Sequence, residues 1–337
     1  MNFQINRGTN ISHWLSQSTN RGIERQTWFT QADVKRIAGW GMDHIRLPVD
    51  EEQMWTKDGQ REEEAFALLH NALEWCAAEK LKVIVDLHIL RSHYFNDSKA
   101  STLYSDEKEM QKFAWFWQDL SAFLGSWGNE FLTYELLNEA VAKDNADWNK
   151  VYPYPFQAIR QREPERTIIL GSNKYNQWST YPDLKIPEDD NLILTFHYYN
   201  PMFVTHYKAE WTPIGQYDGP VNYPGVPVDD KHTYLFESAK NPIPTYENRY
   251  FDIEILRDNI SVPVKIATKY GYKLYCGEFG CINYCPDDIR SRWYHDIRKV
   301  FQENDIAWAN WDYKGAFGLL DRDTEQETIA LHSLMAE

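Results

Sequence analysis

The chain has 337 residues, of which 43% are hydrophobic, so it is long enough to bury a sizeable core. It carries 35 basic and 50 acidic residues, a formal net charge of -15, with no block of basic residues. A phosphate backbone and an anionic membrane surface both attract basic patches, so this balance argues against either partner. We expect no nucleic acid, no membrane and a neutral substrate.

The apolar runs and the first residues of the sequence indicate the cellular compartment in which we expect the protein. No run approaches the roughly 20 residues that a membrane-spanning helix needs, and the residues from Phe3 onward lead into a predicted strand rather than a signal peptide. We expect a soluble monomer that is cytoplasmic as the sequence stands, or secreted or periplasmic if a signal peptide has been removed.

The four cysteines are too few for a disulfide scaffold. Three of them, Cys276, Cys281 and Cys285, lie close together in the sequence, which invites a metal-binding interpretation. Their spacings of five and four residues match no zinc knuckle. We therefore predict structural or free thiols, no bound metal and no cofactor.

Short apolar runs alternate with longer amphipathic stretches along most of the chain. Such runs suit strands that are covered on both faces, and right-handed crossovers make neighbouring strands parallel. The alternation therefore predicts an α/β fold, a (β/α)8 TIM barrel in one domain, 1–337. The predicted strands are 5–11, 44–49, 82–88, 131–138, 167–172, 191–199, 273–279 and 306–312.

Two of the intervening helices have clear signals. A helix over 30–41 can be capped by Thr30 and ended by Gly41. A second helix is predicted over 63–80. Its apolar stripe consists of Phe66, Leu69, Leu73 and Ala77.

The stretch 201–249 interrupts the alternation and is rich in proline and aromatic residues. A loop of this length inside a compact domain is usually functional or disordered, and its aromatic content favours an ordered segment. We predict an inserted subdomain after strand six, at the rim of the active site.

Polar side chains recur where predicted strands end, which is where barrels carry their catalytic groups. A glutamate at one strand end is usually a solvated rim residue. Glu139 and Glu278, however, end strands four and seven and would meet at the barrel mouth. Cleavage of a glycosidic bond needs one protonated and one ionised carboxyl group, and these two glutamates are the candidates.

Other strand-end residues can support such a pair. A guanidinium at Arg46 would lower the pKa of Glu278 and keep it anionic, although Arg46 can also pair with any acid at the mouth. Asn138 can offer its amide to a sugar hydroxyl, unless it is only a turn residue. Tyr199 can donate a hydrogen bond to Glu278.

Two histidines, His88 and His197, also end predicted strands. A buried histidine usually has a structural role, but two at one mouth can bind sugar hydroxyls or tune the carboxylates. A metal site formed by both with a glutamate stays open, although no His-Glu-x-x-His spacing occurs.

Aromatic residues make up 15% of the chain, and their rings can stack on the apolar faces of sugars. Most of them must fill the core. The candidates for sugar platforms are Trp311, which ends strand eight, and Trp14, Trp178 and Trp211.

Several motifs in this order resemble glycoside hydrolase family 5, a family of retaining (β/α)8 glycosidases. They are Ile45-Arg46-Leu47-Pro48, Asp86-Leu87-His88, Leu137-Asn138-Glu139, Phe196-His197-Tyr198-Tyr199, Gly277-Glu278-Phe279-Gly280 and Trp311. Within the family, three stretches are similar to the clostridial endoglucanase C group: 10–11 with 14–17, 101–103 and 205–211. The sequence departs from that group at Ile89, where the group has histidine, and at His13, where it has glycine.

The resemblance implies that Glu139 is the acid/base and Glu278 the nucleophile of a retaining endo-β-1,4-glucanase acting on cellulose-type and mixed-linkage β-glucans. Such a mechanism requires a carboxyl separation of about 5 to 5.5 Å. Within the family, a β-1,4-mannanase or a xyloglucanase is the alternative. Outside it, a non-catalytic carbohydrate-binding protein and a metal-dependent barrel hydrolase remain open.

Overall fold

Eight parallel strands pair in chain order and close into a barrel in which β1 contacts both β2 and β8. The computed structural model describes residues 3–212, 214–229 and 248–336. The predicted α/β fold, a (β/α)8 TIM barrel, is confirmed. The strands are β1 Arg7–Asn10, β2 His44–Val49, β3 Lys82–Leu87, β4 Leu132–Glu135, β5 Ile168–Gly171, β6 Leu192–Tyr198, β7 Lys273–Phe279 and β8 Ala307–Asn310.

The helices lie between successive strands and around the barrel. No helix among the residues described is long and apolar enough to span a bilayer. They are α1 Ile23–Trp28, α2 Gln31–Gly39, α3 Glu51–Met54, α4 Glu63–Ala78, α5 Glu107–Leu124, α6 Asn145–Val151, α7 Pro153–Arg162, α8 Asn173–Asn176, α9 Met202–Thr205, α10 Ile253–Tyr270, α11 Asp287–Glu303 and α12 Ile329–Met335, with 3-10 segments at Phe95–Ala100 and Trp178–Asp183.

Helix α2 starts as its sequence predicts. Thr30 is the N-cap, and the Asp33 carboxylate accepts a hydrogen bond from the Thr30 backbone N–H at 2.8 Å, which forms a capping box. Gly41 follows the helix with a φ of 80°, a conformation that glycine adopts without strain.

The predicted apolar stripe of α4 is wrong at one position. Phe66, Leu69 and Leu73 are buried as predicted, but Ala77 is exposed and Cys76 is buried in its place. A helix advances about 100° per residue, so a stripe that passes through 66, 69 and 73 continues at 76.

The interior of the barrel has an apolar lower end, which we name the floor. Side chains from five strands and from the N-terminal segment meet there in a cluster separate from the main core. The main core fills the space between the strands and the helices. The floor consists of Phe3, Ile84, Ile169, Ile193, Tyr275 and Ala309, all buried.

The segment after β6 is described in part, so the predicted subdomain over 201–249 lies partly outside the described residues. Its described portion contains α9, and Tyr207, Tyr217 and Tyr223 are buried against the main core. Gly225 and Phe251 pair in an antiparallel bridge. This portion therefore packs on the barrel through its aromatic side chains.

Candidate active site

The carboxyl ends of the strands, which we name the mouth, surround a cavity of about 620 Å³. Most of the predicted site residues reach this cavity, because strands of one parallel barrel end at the same side. Those that line it are His88, Glu139, His197, Tyr199, Trp211, Glu278 and Trp311.

The two candidate glutamates face each other across the cavity. One oxygen of Glu139, one oxygen of Glu278 and one ring nitrogen of His197 lie within 4.8 Å of one another. Both glutamates are buried. The closest approach of the two carboxyl groups is therefore short, which favours the roughly 5–5.5 Å separation of retaining glycosidases over the roughly 6.5–9.5 Å of inverting ones.

A β-bulge turns Glu278 into the barrel. Phe196 of β6 pairs with Cys276, but the next residue, His197, pairs with Glu278, so β7 contains one extra residue at Gly277. A Cβ at Gly277 would lie 2.9 Å from the Thr195 hydroxyl, which only glycine avoids. Without the bulge, strand alternation would direct residue 278 to the opposite face.

The chain bends sharply at the other glutamate. Strand β4 ends at Glu135, earlier than predicted, and Glu139 has a φ of 40°. This left-handed conformation costs about 1–3 kcal/mol for such a residue. The Glu139 carbonyl faces His93 Nε2 at 3.0 Å, and Tyr175 N–H donates to the carbonyl of Ala140 at 3.1 Å. Tertiary contacts therefore hold the strained turn.

Glu278 receives two donors on different oxygens. Arg46 Nη1 donates to Oε1 at 2.8 Å, and the Tyr199 hydroxyl donates to Oε2 at 3.0 Å. Glu139 instead contacts the neutral ring of His197, with 2.9 Å between its Oε1 and Nδ1. Only Glu278 is directly paired with a cation, so the two carboxyl groups have different electrostatic surroundings.

The pKa values follow these surroundings. Burial raises the pKa of Glu139 well above its usual range, and the charge of Glu278 raises it further. Burial also raises the pKa of Glu278, to about 8, although Arg46 and Tyr199 lower it. The expected effect of Arg46 is therefore present, but the cost of burial exceeds it.

His197 is held in one tautomer by its neighbours. Burial lowers the pKa of His197 well below its usual range, so the ring is neutral. The Asn176 amide nitrogen lies 3.2 Å from Nε2 and can only donate, so Nε2 accepts. Nδ1 then carries the proton and donates to Glu139.

His88 presents an unpartnered nitrogen to the cavity. Its Nδ1 lies 2.7 Å from Asp86 Oδ2, and its ring stacks on Trp311 at an interplanar angle of 2°. Burial lowers the pKa of His88 well below its usual range. Nε2 is buried without a hydrogen-bond partner, so the neutral ring can accept one from a sugar hydroxyl.

Two predicted residues lie beneath the cavity rather than in its lining. Arg46 is fully buried and bonds Asn10, Glu135 and Glu278. Asn138 accepts from Arg46 Nη2 at 2.9 Å through Oδ1 and leaves its amide nitrogen unpartnered. The role predicted for Asn138, a donor to a sugar hydroxyl, stays a prediction.

The tryptophan candidates divide into two groups. Trp311 and Trp211 line the cavity, and Trp211 is 56% exposed. Trp14 is only 1% exposed, and its indole N–H donates to the Arg25 carbonyl in the core, so its prediction as a sugar platform was wrong. Trp178 packs half-buried against the same core and is outside the cavity lining.

Several site residues were missed in the sequence. Tyr94, His206 and Phe317 line the cavity from loops and Phe95 from the start of a short 3-10 segment, where no periodicity marks them. His13 lines it with a φ of 56°. The buried acids Asp86 and Glu135 had a usable signal, because each is a charged residue within an apolar strand.

Among the described residues, three side chains at the mouth have the spacing of metal ligands. Glu139, His197 and Glu278 have the geometry to hold a cation. Arg46 already places its positive charge on Glu278, and Nδ1 of His197 carries a proton toward Glu139. The donor set therefore suits a proton-carrying carboxylate pair. Cys76, Cys276, Cys281 and Cys285 are free and buried.

A TIM barrel with a close carboxylate pair at its mouth is the arrangement that many glycoside hydrolases use. A model of the family described as Cellulase (glycosyl hydrolase family 5) matches residues 6–317. The chain belongs to this family and is a glycoside hydrolase. The resemblance found in its motifs is thus confirmed.

Individual relatives agree with the family. Endoglucanase C of Acetivibrio thermocellus is 31% identical, with 98% of this chain and 97% of that protein covered. Cellodextrinase A of Ruminococcus flavefaciens is 30% identical, with 90% and 84% covered. A crystal structure of a hyperthermophilic endo-beta-1,4-glucanase in complex with substrate has a TM-score of 0.79 at 20% identity and covers 99% of this chain and 97% of that one.

Proposed function

We propose that the chain is a retaining endo-β-1,4-glucanase that hydrolyses internal bonds of cellulose-type and mixed-linkage β-glucans. The observation that carries the proposal is the close pair Glu139 and Glu278, in which only Glu278 receives Arg46 and Tyr199. The short closest approach of the two carboxyl groups favours a retaining mechanism, because inverting glycosidases separate theirs by roughly 6.5–9.5 Å. The whole-length relatives named for endoglucanase and cellodextrinase activity support the substrate class.

In the first step, the Glu278 carboxylate attacks the anomeric carbon while Glu139 protonates the departing glycosidic oxygen. The two donors on Glu278 favour its ionised form, and burial favours the protonated form of Glu139. The carbon–oxygen bond to the leaving chain breaks as the ester to Glu278 forms.

Esterification removes the negative charge of Glu278, which had raised the pKa of Glu139. The pKa of Glu139 then falls, and its carboxylate can take a proton from water. This water attacks the anomeric carbon, breaks the ester and releases the Glu278 carboxylate. Two inversions at one carbon give a product with the original configuration.

The surface beside the mouth supports a polymeric substrate. A second cavity of about 750 Å³ shares His13, Gln17 and Ala316 with the first. Its lining is mainly polar and includes Asn20, Asn283 and Lys314, which can hydrogen-bond sugar hydroxyls. A chain cut at an internal bond needs such space beyond the catalytic centre.

The test is product analysis with barley β-glucan, carboxymethyl cellulose, cellodextrins, xyloglucan and glucomannan. We expect oligosaccharides of mixed length from the first two, with β-configured new ends by proton NMR. If most oligosaccharides come from xyloglucan or glucomannan, the enzyme is a xyloglucanase or a mannanase of the same family. Activity on cellodextrins alone would favour a cellodextrinase.

The decisive variant is Glu278→Gln, which retains the shape and removes the nucleophile. We expect a fall in turnover of at least about 10⁴-fold with substrate still bound. Glu130→Gln, at an exposed glutamate, is the matched control and should turn over normally. Retained turnover in Glu278→Gln would contradict the assignment, and a wild type inert on all five substrates would favour a binding protein.

The proposal includes action as a single chain on a neutral glycan, without nucleic acid or membrane as partner. The net charge of -15 and the self-contained carboxylate pair support it. Light scattering coupled to gel filtration, run during measurements of specific activity, should give one chain's mass of 39.9 kDa.

A further inference from the structure

One arginine serves several carboxylates beneath the site. Arg46 Nε and Nη2 donate to the two oxygens of Glu135 at 2.7 and 3.0 Å, which forms a bidentate pair. Nη1 donates to Glu278 at 2.8 Å and to Asn10 Oδ1, also at 2.8 Å. Arg46 and Glu135 are both fully buried. The stronger pairing of the guanidinium is therefore made with Glu135 and not with the nucleophile.

Asp86, the third carboxylate in contact with Arg46, also has a partner of its own. Asp86 Oδ2 lies 3.1 Å from Arg46 Nη2 and also 2.7 Å from His88 Nδ1. Both oxygens of Glu135, in contrast, accept from Arg46. Neutral Glu135 could use only one oxygen as an acceptor without competing for a proton, so the bidentate geometry fits an ionised Glu135.

We infer that Glu135 is a positioning residue that orients the Arg46 guanidinium and divides its charge with Glu278, and thereby sets the pH range in which the enzyme works. The inference rests on the proposed function of Glu278 as nucleophile. Glu135 lies on β4 below the cavity, outside its lining, and acts through Arg46.

The direction of the effect follows from the charges around Glu135. The negative charge of Glu135 raises the pKa of both Glu278 and Glu139. Burial raises the pKa of Glu135 itself to about 7, against the opposing charge of Arg46. The titratable groups that sense Glu135 are Arg46 on β2, Asp86 and His88 on or after β3, Glu139 after β4, Tyr181, and Tyr275 and Glu278 on β7.

Most of the other titratable groups near Glu135 are neutral, so they do not reverse the direction of its effect on the pKa of Glu278 and Glu139. Burial lowers the pKa of His88 and His197 well below their usual range and raises those of Tyr181 and Tyr275 well above theirs. Removal of the Glu135 charge therefore lets Arg46 stabilise the ionised Glu278 more strongly. Glu278 and Glu139 should both lose their protons at lower pH.

The experiment compares kcat/KM against pH for the wild type and Glu135→Gln on an aryl β-cellobioside. The glutamine keeps the shape and one acceptor for Arg46. We expect the acidic and basic limbs of the bell to move to lower pH by about one unit or more, as Coulomb interaction between close buried carboxylates implies. A lower rate with unmoved limbs would mean a structural role only and would overturn the inference.

Two further variants separate charge from shape. Glu135→Asp keeps the charge and should leave both limbs close to those of the wild type, even if the rate falls. Glu51→Gln is the matched control, because Glu51 is a buried carboxylate paired with Arg91 and Lys112 instead of Arg46. It should lower stability and leave the limbs in place. If Glu135→Gln does not fold, the pH profiles of Glu135→Asn and Glu135→Asp are compared instead, because these two side chains have the same length and differ in charge.

A second readout keeps this inference separate from the proposed function. Glutamate labelled with carbon-13 at its carboxyl carbon allows Glu278 to be titrated by NMR, with Glu278→Gln as the assignment control. The Glu278 signal should titrate at lower pH in Glu135→Gln. A wild type without turnover refutes the function but leaves this test intact, whereas an active wild type with an unshifted Glu278 signal refutes the inference alone.

Discussion

The floor and the mouth of the barrel are built by the same strands but have opposite chemistry. On β3, Ile84 belongs to the floor and the next residue on the same side, Asp86, contacts Arg46 at the mouth. On β7, Tyr275 lies in the floor, and Glu278 lies at the mouth. On β3 one step of strand alternation therefore separates an apolar layer from a layer of buried charges, and on β7 the step is one residue longer because of the bulge at Gly277.

The difference shows where stability and function reside in this fold. The floor buries apolar side chains, which stabilises the folded state. The mouth buries Arg46 with three carboxylates in contact, and such groups cost free energy to desolvate even when they are paired. Mutations in the floor should change stability alone, while mutations at the mouth should change chemistry more than stability.

After the loss expected for Glu278→Gln, the next largest effect at the mouth is that of Glu139→Gln. Without a proton donor, kcat/KM on β-glucan should fall by about 10²–10⁴-fold. A 2,4-dinitrophenyl β-cellobioside needs no protonation of its leaving group, so its first step should be spared, and azide should accept the glycosyl group as a β-glycosyl azide. Product chromatography and burst kinetics measure both outcomes.

Stability is the second readout for Glu139→Gln. Because the variant removes a buried carboxyl group beside Glu278, the thermal midpoint should stay within a few degrees of the wild type. A large loss of stability together with equal losses on both substrates would show that Glu139 supports the fold instead of the leaving group.

A smaller effect is expected at the rim of the mouth. Trp211→Ala removes an exposed indole that lines the cavity, so KM for β-glucan should rise roughly tenfold, or about 1.4 kcal/mol, with kcat little changed. Tyr270→Ala is the control, since Tyr270 is also exposed but ends α10 before β7 begins. Equal changes in the two variants would refute a role for Trp211 in sugar binding.

The smallest effect is expected in the floor. Ile169→Val removes one methylene from the floor and should lower the free energy of unfolding by about 0.5–1.5 kcal/mol in urea denaturation. Its pH profile should match the wild type, because no charged group is changed. A shift of either limb would show that floor and mouth are coupled through packing.

Much of the fold was predictable because local patterns and global topology agree. The eight strands occur where apolar runs were found, and Thr30 caps α2 through a pattern visible in four residues. The family motifs also placed the candidate carboxylates at the mouth. The errors arose where the sequence alone does not separate two positions or two roles. Ala77 and Cys76 are neighbours on α4, and only the angle around the helix shows which is buried. A tryptophan such as Trp14 can stack on a sugar or fill the core, and Trp14 fills the core.

The sequence by itself determined the number and order of the βα units and the family, and it proposed Glu139 and Glu278 as the candidate pair, because strand order in a parallel barrel dictates which ends meet. Only the tertiary structure decided how these groups are charged. The bulge at Gly277, the left-handed turn at Glu139 and the sharing of Arg46 with Glu135 depend on contacts between strands that are far apart in the chain. Burial and charge pairing are properties of that three-dimensional arrangement, and they set the chemistry of the site.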